Sequence, residues 1–151
     1  MSRRGKLVIL IAAITLALLA GCASRIAPHD PSIAAGLADL QSSTGRFFDQ
    51  LQQVIGTPDA DWQCHAAWYE DTRAEIAALR IRASASGAMN DPTLDALELL
   101  DQSVDRLEEA HAHGFAAAEI PVLRTLFDSQ LRMLGQLEAA KQRTPVAEVL
   151  P

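Results

Sequence analysis

Apolar residues recur at alternating spacings of three and four along most of the chain. That spacing lines one face of a helix, whereas a half-buried strand alternates with period two. Ile33, Leu37, Leu40, Thr44, Phe47, Leu51 and Val54 form the first stripe, within a helix predicted over about 32–55. Trp62, His65, Tyr69, Thr72, Ile76, Leu79 and Ala83 form the second, over about 58–86, and its first half is the more polar. Thr93, Leu97, Leu100, Val104, Leu107 and His111 form the third, over about 92–113, with Leu94 beside it. Ile120, Leu123, Phe127, Leu134 and Leu137 form the fourth, over about 117–142, flanked by Leu126, Leu131 and Met133.

The punctuation between the stripes suits helix ends. Gly56, Gly87 and Gly114 stand where a helix C-terminus is closed by glycine. Thr57-Pro58 and Asp91-Pro92 each offer a cap residue followed by proline. Strand-like alternation and hairpin dipeptides are absent from the sequence. Short connections between long helices make antiparallel neighbours. The predicted fold is therefore all-α, an up-down-up-down four-helix bundle over 33–143, with a frayed tail at 144–151.

The N-terminus has a different pattern. Residues 2–6 carry three positive charges, and residues 7–20 are apolar but for Thr15. Fourteen helical residues rise about 21 Å, short of a hydrocarbon core of about 30 Å. A basic start, a short apolar run and then small residues make a secretory signal peptide. A buried helix would leave three charges beside an unbroken apolar cylinder.

Leu19-Ala20-Gly21-Cys22 resembles the lipobox of bacterial lipoproteins. The resemblance covers residues 1–24. It implies cleavage between Gly21 and Cys22, a diacylglycerol on the Cys22 thiol and an acyl chain such as palmitate on the new amino group. Residues 1–21 are then the signal peptide and 22–32 a lipidated tether. Ala23 and Ser24 lack the aspartate that retains such proteins in the inner membrane, which implies the outer membrane, facing the periplasm. Several acyl chains suffice for stable attachment where one is marginal.

Charge changes with processing. The full chain of 151 residues has 13 Lys and Arg against 19 Asp and Glu, a net charge of −6. Losing Arg3, Arg4 and Lys6 leaves 130 residues with 10 bases against the same 19 acids, a net charge of −9. Nucleic acid is not an expected partner for so acidic a domain. The lipid bilayer is one partner, through Cys22. Another envelope protein, or a second copy packed on Ala34, Ala35, Ala38, Ala74, Ala77 and Ala78, is the other.

Cys22 marks one end of the bundle as membrane-proximal, together with the 84–91 connection and the tail. His65 and His111 then share a layer at the distal end with Trp62, Tyr69, Phe47, Phe48 and Phe115, and Cys64 and His113 lie close in sequence. Two imidazoles and a thiol suit a borderline metal. The spacing opposes it, because Cys64 and His65 point about 100° apart and His111 and His113 about 200°. Hydrogen-bonded histidines in a polar, aromatic bundle end are the favoured reading, with a small-ligand or metal site there as the alternative. A buried Cys64 is expected. Asp91, Asp95, Glu98, Asp101, Asp105, Glu108 and Glu109 line the third helix, and Arg73, Arg80 and Arg82 of the second are placed to face some of them. The haem attachment run C-x-x-C-H is missing, and no cofactor is expected. With no G-x-S-x-G, P-loop, G-x-G-x-x-G or H-E-x-x-H motif either, the expected role is a non-catalytic helical module.

Overall fold

The computed structural model describes residues 27–143, apart from the side chain of Ala88. The expected signal peptide, its expected cleavage point at Gly21 and Cys22, the first part of the expected tether and the 144–151 tail lie outside the described residues. Four helices make up the bundle, α1 (Pro31–Val54), α2 (Trp62–Ser84), α3 (Asp91–His113) and α4 (Ile120–Arg143). No strand occurs among the described residues. Each helix packs on its neighbours in sequence, and α4 closes the ring on α1. This is the four-helix bundle expected from the stripes.

Local chemistry sets the helix ends. The Asp30 carboxylate accepts the Ser32 amide at 2.8 Å, and Pro31 opens α1 with its fixed φ. Gly56 follows α1 with φ +84°, a left-handed conformation that side chains resist.

Two starts differ from expectation. α2 begins at Trp62 rather than near 58, because Thr57 spends its hydroxyl on the Val54 carbonyl at 2.7 Å. Pro58–Ala60 form one 3-10 turn, and Asp61 is the true cap, accepting the Gln63 amide at 2.9 Å. α4 begins at Ile120 rather than 117. The Glu119 carboxylate accepts the Ala116 amide at 2.7 Å, which folds 116–119 into a turn instead of a first helical turn.

The core follows the stripes, with Leu37, Phe47, Phe48, Tyr69, Ile76, Leu97, Val104, Phe127 and Leu134 all buried. Burying each large apolar side chain contributes roughly 1.5–3 kcal/mol. α1 and α2 approach closely at Gly36, where an added Cβ would stand 2.7 Å from Leu79 Cδ2. Of the alanines, Ala35, Ala38, Ala74 and Ala77 are exposed, while Ala34 and Ala78 are half-buried. No helix among the described residues is long and apolar enough to cross a membrane.

Candidate functional site

At the end away from the 84–91 connection, Phe47, Phe48, Tyr69, His65, His111 and Phe115 gather as the register predicts, whereas Trp62 makes no ring contact among the described residues and Trp68, outside the predicted stripe, takes its place. Phe47 stacks on Trp68 with ring centroids 3.8 Å apart, and the Trp68 indole N–H donates to Ser43 Oγ at 3.2 Å. His65 and His111 share the layer with centroids 5.4 Å apart, and Phe115 stacks on His111 at 4.8 Å.

His111 is fully engaged. Its Nε2 lies 2.8 Å from the Ala60 carbonyl and its Nδ1 lies 2.8 Å from the Tyr69 hydroxyl. A carbonyl only accepts, so Nε2 carries the proton and Nδ1 accepts from Tyr69. Burial holds the His111 pKa below the ordinary imidazole value, with nearby His65 adding to the effect and the Ala60 bond opposing it. Burial, then the charge of Glu108, raises the Tyr69 pKa. His65 donates from Nε2 to the Asp59 carbonyl at 3.1 Å.

Cys64 departs from expectation, for it is exposed rather than buried. Position 64 turns about 100° away from the inward-facing His65. The structure thus brings His65 and His111 together and directs Cys64 elsewhere. Among the described residues no group of three or more His, Cys, Asp or Glu is arranged to hold a metal ion.

Beside this layer a groove of 660 Å³ runs between the end of α3 and the start of α4. Ala110, Phe115, Ala118, Val122 and Leu123 give it an apolar surface, with Arg106, Glu109, His113 and Glu119 around them. Further apolar side chains are exposed along the α3–α4 seam, interrupted by the Gln130–Ser103 hydrogen bond. Leu99, Val122, Leu126 and Met133 are 53%, 69%, 48% and 42% exposed. Positions 122, 126 and 133 fall within about 40° of one another around α4, so they form a second stripe beside the core stripe.

The acidic row of α3 is paired with α2. Arg73 binds Asp105 at 2.9 Å and also binds Glu108, while Arg80 binds Glu98 at 2.6 Å and Asp101 at 3.6 Å. Burial, then the neighbouring Asp105, raises the Asp101 pKa against the pull of Arg80. Arg82 enters no ion pair among the described residues, because it lies about 200° around the helix from Arg80.

The opposite end, beside the 84–91 connection, holds a polar cluster that the stripes did not announce. Lys141 and Glu138, on the last turns of α4, are 7% and 2% exposed. The Lys141 ammonium donates to Asn90 Oδ1 at 2.5 Å, to Thr93 Oγ1 at 3.0 Å and to Glu138. Asn90 donates onward to the Ala83 carbonyl at 2.9 Å, so its side chain turns inward and does not cap α3. Glu138 Oε2 is buried without a hydrogen-bond partner among the described residues. One sequence feature pointed here. The spacing Phe127, Leu131, Leu134 continues without a break to Glu138 and Lys141.

The start of the described chain packs on this same end. Ala27 is buried and its N–H donates to the Met89 carbonyl at 3.4 Å, while Gln142 donates to His29 Nε2 at 2.9 Å. No family model matches the sequence, and no curated protein and no solved structure matches it.

Proposed function

We propose that this protein is a lipid-anchored module of a bacterial envelope that works by docking another envelope protein, without catalysis. The anchor is an acylated Cys22; the lipobox-like run Leu19-Ala20-Gly21-Cys22 supports it, and Ala23 and Ser24 after it support the outer membrane, facing the periplasm. The observation that carries the docking role is the uncovered line of Leu99, Val122, Leu126 and Met133. Several large apolar side chains left exposed on one side of a helix pair mark a candidate interaction site. A helical seam of this kind accepts an amphipathic helix by its i, i+4, i+7 side chains.

Two experiments test the reading. A photo-crosslinking residue at Leu126 or Met133 in living cells should yield one recurrent adduct, and the same residue at Ala74 should yield none. Adducts of equal variety at all three positions would overturn the docking face, and an adduct with a second copy would replace the partner by self-association. Cys22→Ala should abolish acyl labelling and leave the precursor unprocessed. Normal processing of that variant would remove the anchor.

The groove beside Phe115 favours a second reading, a site for a small apolar ligand. Its volume lies in the range of such sites, and its lining is apolar with a few polar groups. The metal version of this reading is weaker, since both ring nitrogens of His111 are already bonded within the protein. Native mass spectrometry of protein purified from its host should show added mass under the second reading, lost on Val122→Asp.

A further inference from the structure

The proximal end carries its own exposed apolar side chains. Ile81, in the last turn of α2, is 72% exposed, and Met89, in the connection to α3, is 40% exposed. We infer that this floor of the bundle is a second membrane contact, with Ile81 and Met89 seated in the interfacial layer of a zwitterionic bilayer and Arg82 and Arg143 on its phosphates. The inference rests on the reading of Cys22 as the acylated anchor.

The chain is fastened to the floor at a point very near that anchor. Ala27 is 2% exposed and bonds to the carbonyl of Met89 itself, and three residues later Asp30 caps α1. Five residue steps separate Cys22 from Ala27, and an extended chain covers at most about 18 Å in five steps. The floor therefore cannot leave the lipid surface by more than that distance. The far ends of helices of 23 and 24 residues stand about 35 Å away from it. A short tether also raises the effective concentration of the second contact, so a weak one is enough.

The charges indicate which lipid surface. Arg82 and Arg143 occupy the last turns of α2 and α4, and neither enters an ion pair among the described residues. Asp30, Asp91 and Asp95 stand at the same end. Bases interspersed with acids suit headgroups that carry both a phosphate and an ammonium. A strongly anionic surface would repel the acids.

The test uses the full, lipidated chain carrying Cys64→Ser and one added cysteine, labelled with a fluorophore. The label sites are Ile81→Cys, Met89→Cys, Leu126→Cys and Ala118→Cys. Vesicles contain equal parts phosphatidylcholine and phosphatidylethanolamine, with a nitroxide on a fraction of the headgroups. Quenching at 81 and 89 should exceed that at 126 and 118 severalfold. Strongest quenching at 126 would mean that the bundle lies on its α3–α4 seam, and would overturn the seat. Equally weak quenching at all four sites, with acyl mass present on Cys22, would reduce the attachment to the tether alone. Absence of acyl mass would remove the anchor and the seat together. A fifth label, Ala85→Cys on the same floor, separates contact from mere nearness. Its quenching should fall severalfold when Ile81→Asp and Met89→Asp are added, and an unchanged value would overturn the seat.

Discussion

Lys141 and Glu138 face each other one turn apart on α4, both nearly sealed from water, with Asn90 and Thr93 completing the ammonium's three hydrogen bonds. A buried pair of this kind is costly to break and cheap to replace whole. Removing one partner strands the other charge at about 3–5 kcal/mol, whereas an apolar pair of similar volume is often neutral or stabilising. Glu138→Leu and Lys141→Met should each lower the urea midpoint strongly. The double variant Glu138→Leu with Lys141→Met should recover most of the loss. Additive losses in the double variant would show that the pair is not coupled.

Tyr69→Phe removes the donor to His111 Nδ1 in a buried site. An unsatisfied buried group costs about 1–3 kcal/mol. Urea unfolding should show that loss with an unchanged m-value, and a midpoint equal to the parent's would count against the bond.

His111 also makes stability depend on pH. Its folded pKa is depressed below the ordinary value near 6.5, so the unfolded chain takes the proton first as pH falls. Stability should be highest above about 6.5 and fall below it, levelling off once the folded protein also takes the proton. Tyr69 acts at the other extreme. Its raised folded pKa means stability is lost as pH rises past about 10, where the unfolded phenol ionises first. Unfolding curves from pH 5 to 8 check the first branch. His111→Gln should flatten it, and an unaltered slope in that variant would assign the effect elsewhere.

Two glycines predict opposite signs. Nothing stands within 4 Å of an added Cβ at Gly135, so Gly135→Ala should stabilise α4 by about 0.5–1 kcal/mol. At Gly36 the same methyl meets Leu79 Cδ2 and Glu75 Oε1, both at 2.7 Å. Glu75 can swing aside, but Leu79 is fully packed, so Gly36→Ala should cost about 1–3 kcal/mol despite better helix propensity. Thermal melts of the two variants should move in opposite directions.

Cys64 is exposed, and a thiol reagent should label it in the native protein as fast as in denaturant. Protection until unfolding would contradict the orientation of the start of α2. The count should be one reactive thiol per chain when Cys22 carries lipid.

The aromatic end was legible because Phe47, His65, Tyr69 and His111 sit on continuous stripes, and antiparallel register carries them to one layer. What each polar atom does there was not legible. Only the approach of Ala60 from the preceding connection and of Tyr69 from α2 closes both nitrogens of His111. The polar cluster at the opposite end was missed for a related reason. A stripe read by hydrophobicity stops at Leu137, although the geometry of the helix continues to Glu138 and Lys141.

Sequence by itself determined the number and direction of the helices, because a 3.5-residue period fixes a buried face without reference to any partner. It also carried the basic start, apolar run and cysteine from which an anchor is proposed. Only the tertiary structure decided which polar side chains are satisfied and that Ala27 is fastened to the 84–91 connection. Those outcomes depend on what approaches from another helix or loop, and no local spacing along the chain specifies that neighbour.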